Sequence, residues 1–258
     1  MTSWTPYPYS GTYAFTVENL EKSWAKLHAG DAEPLPSNPD VRAAWCYFHN
    51  GEFARANEAG LQLGDTGLTA ANKACCIYAN YLEPSEQSRL RLFLDVAERA
   101  QAQAKQHPEN ANAWYWQAYA LGRYSQGVSV AKALSQGLGR RIRDALERTI
   151  ALQPQHADAH IALGTFHAEV IDKVGSLIGA MTYGAKKNSG LKYFRQGLAL
   201  NATAPIAMIE FASGLLMLEG DSGADEATRL YEQAARCHPI DAMERLDVEL
   251  AKTQLSIG

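Results

Sequence analysis

Three stretches of the chain repeat one spacing of bulky and small residues. Asn110 to Gly122 reads NANAWYWQAYALG, His156 to Glu169 reads HADAHIALGTFHAE, and Ala204 to Leu216 reads APIAMIEFASGLL. Each has the period of a helix with one buried face. Each also follows an amphipathic helix that ends at a proline or its equivalent. Those ends are KQHP at Pro108, ALQP at Pro154 and ALNA at Ala202, with a fourth, ARCHP, at Pro239. No window shows sustained period-2 alternation bounded by turns, so strands are not expected.

The pattern predicts about twelve helices. Their spans are 16–29, 38–49, 52–63, 67–82, 85–106, 110–124, 129–152, 157–173, 187–200, 204–218, 223–236 and 240–254. Pro34, Pro36 and Pro39 break the chain after the first of them, because proline lacks the N–H that a helix interior needs. The aromatic arm before it, Trp4, Tyr7, Tyr9, Tyr13 and Phe15, is expected to pack along the first pair as a cap.

The repeated residues resemble the tetratricopeptide repeat (TPR) family. That family's first helix carries bulk at positions 4, 7 and 11 and a small residue at 8. Counted from Ala157, these are His160, Leu163, His167 and Gly164; from Pro205, they are Met208, Phe211, Leu215 and Ala212. The second helix of the latter repeat supplies Ala227, Tyr231, Ala234 and Pro239. Counted from Ala111, Trp114, Ala118 and Leu121 fit and Gln117 departs from the pattern. An earlier unit, AAWCYFHNGEFARA from Ala43, has the Asn-Gly turn followed by Phe and Ala. Small residues are needed where two antiparallel helices approach closely, and bulky ones fill the space around them. One pair cannot bury its apolar face alone, so pairs must stack. The resemblance implies an all-α fold, a right-handed superhelical array of antiparallel helix pairs (a TPR-like α-solenoid). The expected domain is single, 1–258. Residues 1–37 form an arm and capping helix, and 38–258 form helix-pair repeats.

The repeats depart from the family in length. Pro108 to Pro154 is 46 residues and Pro154 to Ala202 is 48, against about 34 in the family. The excess falls between the two helices of a pair, at 125–141 (SQGVSVAKALSQGLGRR) and 173–190 (KVGSLIGAMTYGAKKNSG). Equal placement in consecutive repeats predicts that the insertions are neighbours. Both are apolar and Gly-rich. Two readings stay open: Val128, Val130, Leu134, Leu177, Ile178 and Met181 pack together, or the insertions wall a pocket.

Composition narrows the function classes. Hydrophobic residues are 47% and charged residues 20%, which describes a chain that folds. A net charge of −4 gives no whole-chain reason to expect nucleic acid. The charge is uneven, however. Residues 1–122 hold 9 basic and 13 acidic residues, 123–195 hold 11 and 5, and 196–258 hold 4 and 10. The positive segment carries the insertions, with Arg140, Arg141, Arg143, Lys186 and Lys187. That is either solvated surface or an anion site beside apolar residues. The start, MTSWTPYPYSGTYAF, does not read as a secretory signal. Val174 to Ala185 is too short to span a bilayer as a helix. Cys46, Cys75, Cys76 and Cys237 show neither zinc spacing nor a disulfide framework. A cytoplasmic protein with reduced thiols is the simplest expectation, with Cys75-Cys76 buried as small hydrophobes.

His156, His160 and His167 share one helix or its cap, with Asp158 and Glu169 nearby, residue types that can ligate zinc. His160 and His167 occupy positions that point into the helix pair, which favours packing; no metal and no cofactor are expected. The family's first helices line the concave face. Carried over, that face holds Asn112, Tyr115, Tyr119, Gly122 and Arg123, then Asp158, Ile161, Thr165, Ala168 and Glu169, then Ile206, Ile209, Ser213, Leu216 and Met217. Tyrosine and arginine are good recognition anchors. The lysine and asparagine set by which some repeats hold a terminal carboxylate is missing. No phosphate loop, nucleophile elbow, HExxH or spaced CxxC pairs occur, so an enzyme is not expected.

From Ala111 to Leu255 the chain also resembles the repeat domain of the regulator of microtubule dynamics family, through ALG at 162–164, the long insertion, and GLKYFRQGLAL at 190–200. That resemblance implies a repeat domain able to hold phospholipid. The leading expectation is a scaffold that takes a protein or peptide partner on its concave face. The alternative is a carrier of a small amphiphilic anion or lipid in an apolar pocket near the insertions. Candidate binding residues are Asn112, Tyr115, Tyr119, Arg123, Thr165, His167, Glu169, Arg140, Arg141, Lys186 and Lys187. Tyr119, Arg123, His167 and Glu169 are expected to complete that pocket.

Overall fold

The computed structural model describes residues 4–257, and among them all regular structure is helical. In order the helices are α1 (Val17–Leu27), α2 (Pro39–His49), α3 (Phe53–Gln62), α4 (Leu68–Tyr81), α5 (Glu86–Gln106), α6 (Ala111–Gln126) and α7 (Val130–Ser135). They continue as α8 (Leu138–Leu152), α9 (Ala157–Val174), α10 (Ser176–Ile178), a π-helical turn (Gly179–Tyr183), α11 (Lys187–Leu200), α12 (Pro205–Glu219), α13 (Ala224–Arg236) and α14 (Ala242–Ile257). Most boundaries fall within two residues of the expected ones. The single helix expected over 129–152 is instead broken into α7 and α8. Gly137 lies between them at φ +60°, a left-handed conformation that ends one helix before the next begins. Within the second insertion, α10 and the π turn add helix that the period did not predict.

The chain divides into two compact units. The first comprises residues 4–28, 33–129 and 241–243; the second comprises 29–32, 130–240 and 244–257.

In the first unit the Asn50-Gly51 turn joins α2 to α3, and Gly51 sits at φ +84°. The Tyr7 ring lies directly on Gly51, where any Cβ would collide with it. Tyr7 also meets Phe53 edge-on, and Trp4 stacks on Tyr78 at 4.0 Å between centroids. The Asn50 side chain accepts from the Phe15 N–H and donates to the Phe15 carbonyl, at 2.8 and 3.0 Å. The aromatic arm thus touches α3, α4 and the turn between α2 and α3. Helix α4 is buried from Thr69 to Ala79. Cys75 and Cys76 lie within it as free thiols. Burial pushes the Cys75 thiol up to about 11 and Cys76 well above its ordinary value, so neither is a ready nucleophile. The same unit buries His28, His49 and Asp241 in one chain. His49 Nδ1 is 2.7 Å from Asp241 Oδ2, and His49 Nε2 is 3.3 Å from His28 Nε2.

In the second unit α9 and α11 form a close antiparallel pair. A Cβ on Gly164 would stand 2.8 Å from the Phe194 ring, one on Gly197 2.6 Å from Ile161, and one on Gly190 3.1 Å from His167 Cβ. Gly214 of α12 closes on the other edge of Phe194, whose ring stacks on Phe211 at 5.2 Å. Ala212, at 0% exposure, belongs to the same core. The small position expected at Gly164 is therefore a real close crossing. Leu230 and Ala234 of α13 and Ala251 of α14 extend this core.

Candidate functional site

The candidate residues of the first unit sit on α6. Asn110 caps that helix by accepting from the Ala113 N–H, as short polar side chains do at helix starts. Asn112 and Tyr115, expected on an open face, are buried, and Asn112 Nδ2 donates to Glu33 Oε2 at 2.6 Å. Tyr119 and Arg123 are half-buried. The Arg123 guanidinium lies 5.2 Å from the Tyr119 ring centre, a cation–π contact, and donates to Gln126. Of the four expected here, only Tyr119 and Arg123 reach solvent together.

In the second unit, the carried-over position at Asp158 is occupied locally. Its N–H donates to the Gly30 carbonyl at 3.0 Å, and its carboxylate crowds the place where a Gly30 Cβ would be. Thr165 of α9 donates to Glu210 Oε2 of α12 at 3.0 Å. Burial pushes the Tyr231 phenol up; hydrogen bonding with Ser213 opposes that shift and the Glu210 charge adds to it. Thr165, Glu210, Ser213 and Tyr231 thus form a polar strip across α9, α12 and α13. Glu210 and Tyr231 were not among the expected site residues. The available signal was an isolated carboxylate in the otherwise apolar run PIAMIEFASGLLML.

The three histidines of α9 have structural partners. His156 caps the helix, its Nδ1 accepting from the Ala159 N–H. His160 bonds the Pro154 carbonyl at 3.0 Å. His167 stacks on Tyr193 at 5.7 Å, and its Nδ1 accepts from the Lys186 N–H at 3.2 Å. That bond fixes the neutral Nε2–H form. Burial, helped by the Arg143 charge, lowers His167 to about 4. Among the described residues no group of three or more His, Cys, Asp and Glu is arranged to hold a metal ion.

Within the second unit, the part of the first insertion from 130 to 141 adjoins the second insertion. The place of a Gly139 Cβ is 2.8 Å from the Tyr183 ring, and Arg143 donates to the Tyr183 carbonyl at 3.0 Å. Of the six apolar residues that one of the two readings packed together, Val128 is half-buried. Val130, Leu134, Leu177, Ile178 and Met181 are exposed. Of the expected cations, Arg140 reaches Asp144 at 3.5 Å and Lys187 reaches Glu219 at 2.9 Å, while Arg141 is half-buried and Lys186 exposed. Glu169 pairs with Lys173 at 3.8 Å.

Comparison with known proteins gives a consistent picture. No curated protein matches the sequence. A solved tetratricopeptide repeat protein of Thermus thermophilus is similar in structure, with a TM-score of 0.58 and 18% identity over 83% of this chain and 97% of that one. Residues 65–174 match the family described as Regulator of microtubule dynamics protein 1-3. That match starts earlier than the Ala111 expected from the sequence, and the GLKYFRQGLAL segment at 190–200 lies outside it. The chain therefore has a TPR-like helical-repeat fold containing a region similar to the regulator of microtubule dynamics family.

Proposed function

We propose that this chain is a non-catalytic adaptor that binds a protein or peptide partner on its first-helix faces. The observation that carries the reading is the polar strip Thr165–Glu210–Ser213–Tyr231, which groups side chains of α9, α12 and α13 in a TPR-like fold and includes the one carboxylate inside the apolar run of α12. Buried polar residues that serve only packing are usually satisfied by backbone, as His160 is. Here hydroxyls and a carboxylate from three helices are grouped at half-buried positions, where they can exchange partners with a peptide backbone. On α6, Tyr119 and Arg123 supply the aromatic and cationic anchors that dominate recognition energetics. A cytoplasmic location, in which all four cysteines stay reduced, completes the reading.

The test is cross-linking capture from cells followed by variants. Tyr119→Ala, Arg123→Glu and Glu210→Lys should each lose the captured partner while circular dichroism stays helical. A Tyr119→Ala/Glu210→Lys variant that folds and keeps every partner would overturn the proposal.

A further inference from the structure

We propose that the second insertion is a peripheral docking tip for the surface of a bilayer rich in anionic lipid. This goes beyond the adaptor reading and rests on different residues. Leu177 is 73% exposed, Ile178 55% and Met181 81%. Their spacing of i, i+1 and i+4 puts them on one side of the short helical segment 176–183. Val130 and Leu134 of α7, also i and i+4, are exposed in the adjoining insertion. Apolar side chains this open, grouped in two neighbouring segments, mark an interaction surface rather than scattered exposure.

The base of the tip is held while its apolar side chains stay exposed. Gly175 at φ +81° and Gly184 at φ +67° bracket the segment. At its base the Tyr183 ring rests on Gly139, and Arg143 holds the Tyr183 carbonyl. The Lys186 N–H is bonded to His167. Exposed cations flank this base along the chain: Lys173 before Gly175, Lys186 and Lys187 after Gly184, and Arg140 next to Gly139. Three of them pair with carboxylates, Glu169, Asp144 and Glu219. Those pairs lie at the surface, where each is weak and exchangeable for another anion.

The occupant follows from shape and charge together. An exposed apolar tip needs a protein partner with a hole already cut to fit. A lipid interface deforms around any tip, takes apolar side chains to the acyl boundary, and supplies negative charge for the flanking lysines. No helix among the described residues is long and apolar enough to cross a membrane, so the contact would be interfacial.

The experiment is sedimentation of the full chain with vesicles of phosphatidylcholine alone, or with about 30% phosphatidylserine. Binding to the anionic vesicles is expected, weakened by added salt. Leu177→Ser/Met181→Ser should weaken it by roughly tenfold or more through lost apolar burial, with unchanged circular dichroism. Lys186→Glu/Lys187→Glu should remove the preference for phosphatidylserine. Absence of binding to either vesicle would overturn the proposal, as would full binding by the serine variant. So would a tip that mediates only self-association or only capture of a protein. None of these outcomes bears on Tyr119, Arg123 or Glu210, so the adaptor reading stands or falls separately.

Discussion

The Phe194 crossing and the segment 176–183 lie in the same unit, yet they treat apolar residues in opposite ways. At the crossing, Gly164 and Gly214 close on the two edges of the Phe194 ring, and Gly190 and Gly197 of α11 close on His167 and Ile161 of α9, so that an added Cβ at any of the four would force a shift. In the insertion, Leu177, Ile178 and Met181 stay in solvent. The difference is register. Residues at repeat positions inherit a partner helix at a fixed distance, whereas residues added between the two helices of a pair inherit none. Apolar character alone therefore does not bury a residue; a facing surface must exist.

The sharpest way to break this contrast is Phe194→Ala, which removes the centre of the crossing. It should destabilise by about 3–5 kcal/mol, read as a shift of the urea midpoint. Gly164→Leu attacks the same contact by overpacking and should cost roughly 1–3 kcal/mol or more. A neutral result would mean that α9 and α11 can separate freely, contrary to the close approach seen.

Acid should distinguish the crossing from the tip next. His167 is lowered to about 4 in the folded chain and has an ordinary value near 6.5 when unfolded. The unfolded state then binds the extra proton first. Stability is full above about pH 6.5 and falls as pH drops toward 4. The loss should be about 1–3 kcal/mol after allowance for solvent screening, because protonating Nδ1 also breaks its bond from the Lys186 N–H. Thermal melts between pH 7 and 4.5 should show it, and His167→Gln should flatten that limb; an unchanged limb would assign the acid sensitivity elsewhere.

The smallest effect belongs to the insertion. Leu177→Ser should change stability by no more than about 0.5 kcal/mol, since its side chain stands in solvent. A loss of several kcal/mol would show that the tip is packed in solution and would erase the contrast.

Much of the crossing was legible in the sequence. Gly164, Ala212 and the terminal prolines announce helix pairs with close contacts, and the helix spans follow from period and breakers. The break at Gly137 was not legible, because an isolated glycine in an amphipathic run is compatible with a continuous helix. The candidate site was only half legible. Tyr119, Arg123 and Thr165 reach a partly open surface, but Asn112 and Tyr115 do not. A register assigns a residue to a helix face without saying whether Glu33 from distant sequence will cover it.

By itself the sequence determined the class of fold, the places where helices stop and the location of the two insertions, because these depend on local period, proline and glycine. Tertiary structure alone decided that Glu210 meets Thr165 across 45 residues and that the α9 histidines are held as caps and packing groups. It also decided that the insertions meet at Gly139 and Tyr183 while leaving their apolar side chains open. Each of these outcomes is set by which surfaces face one another, and no local pattern in a chain records what will lie opposite.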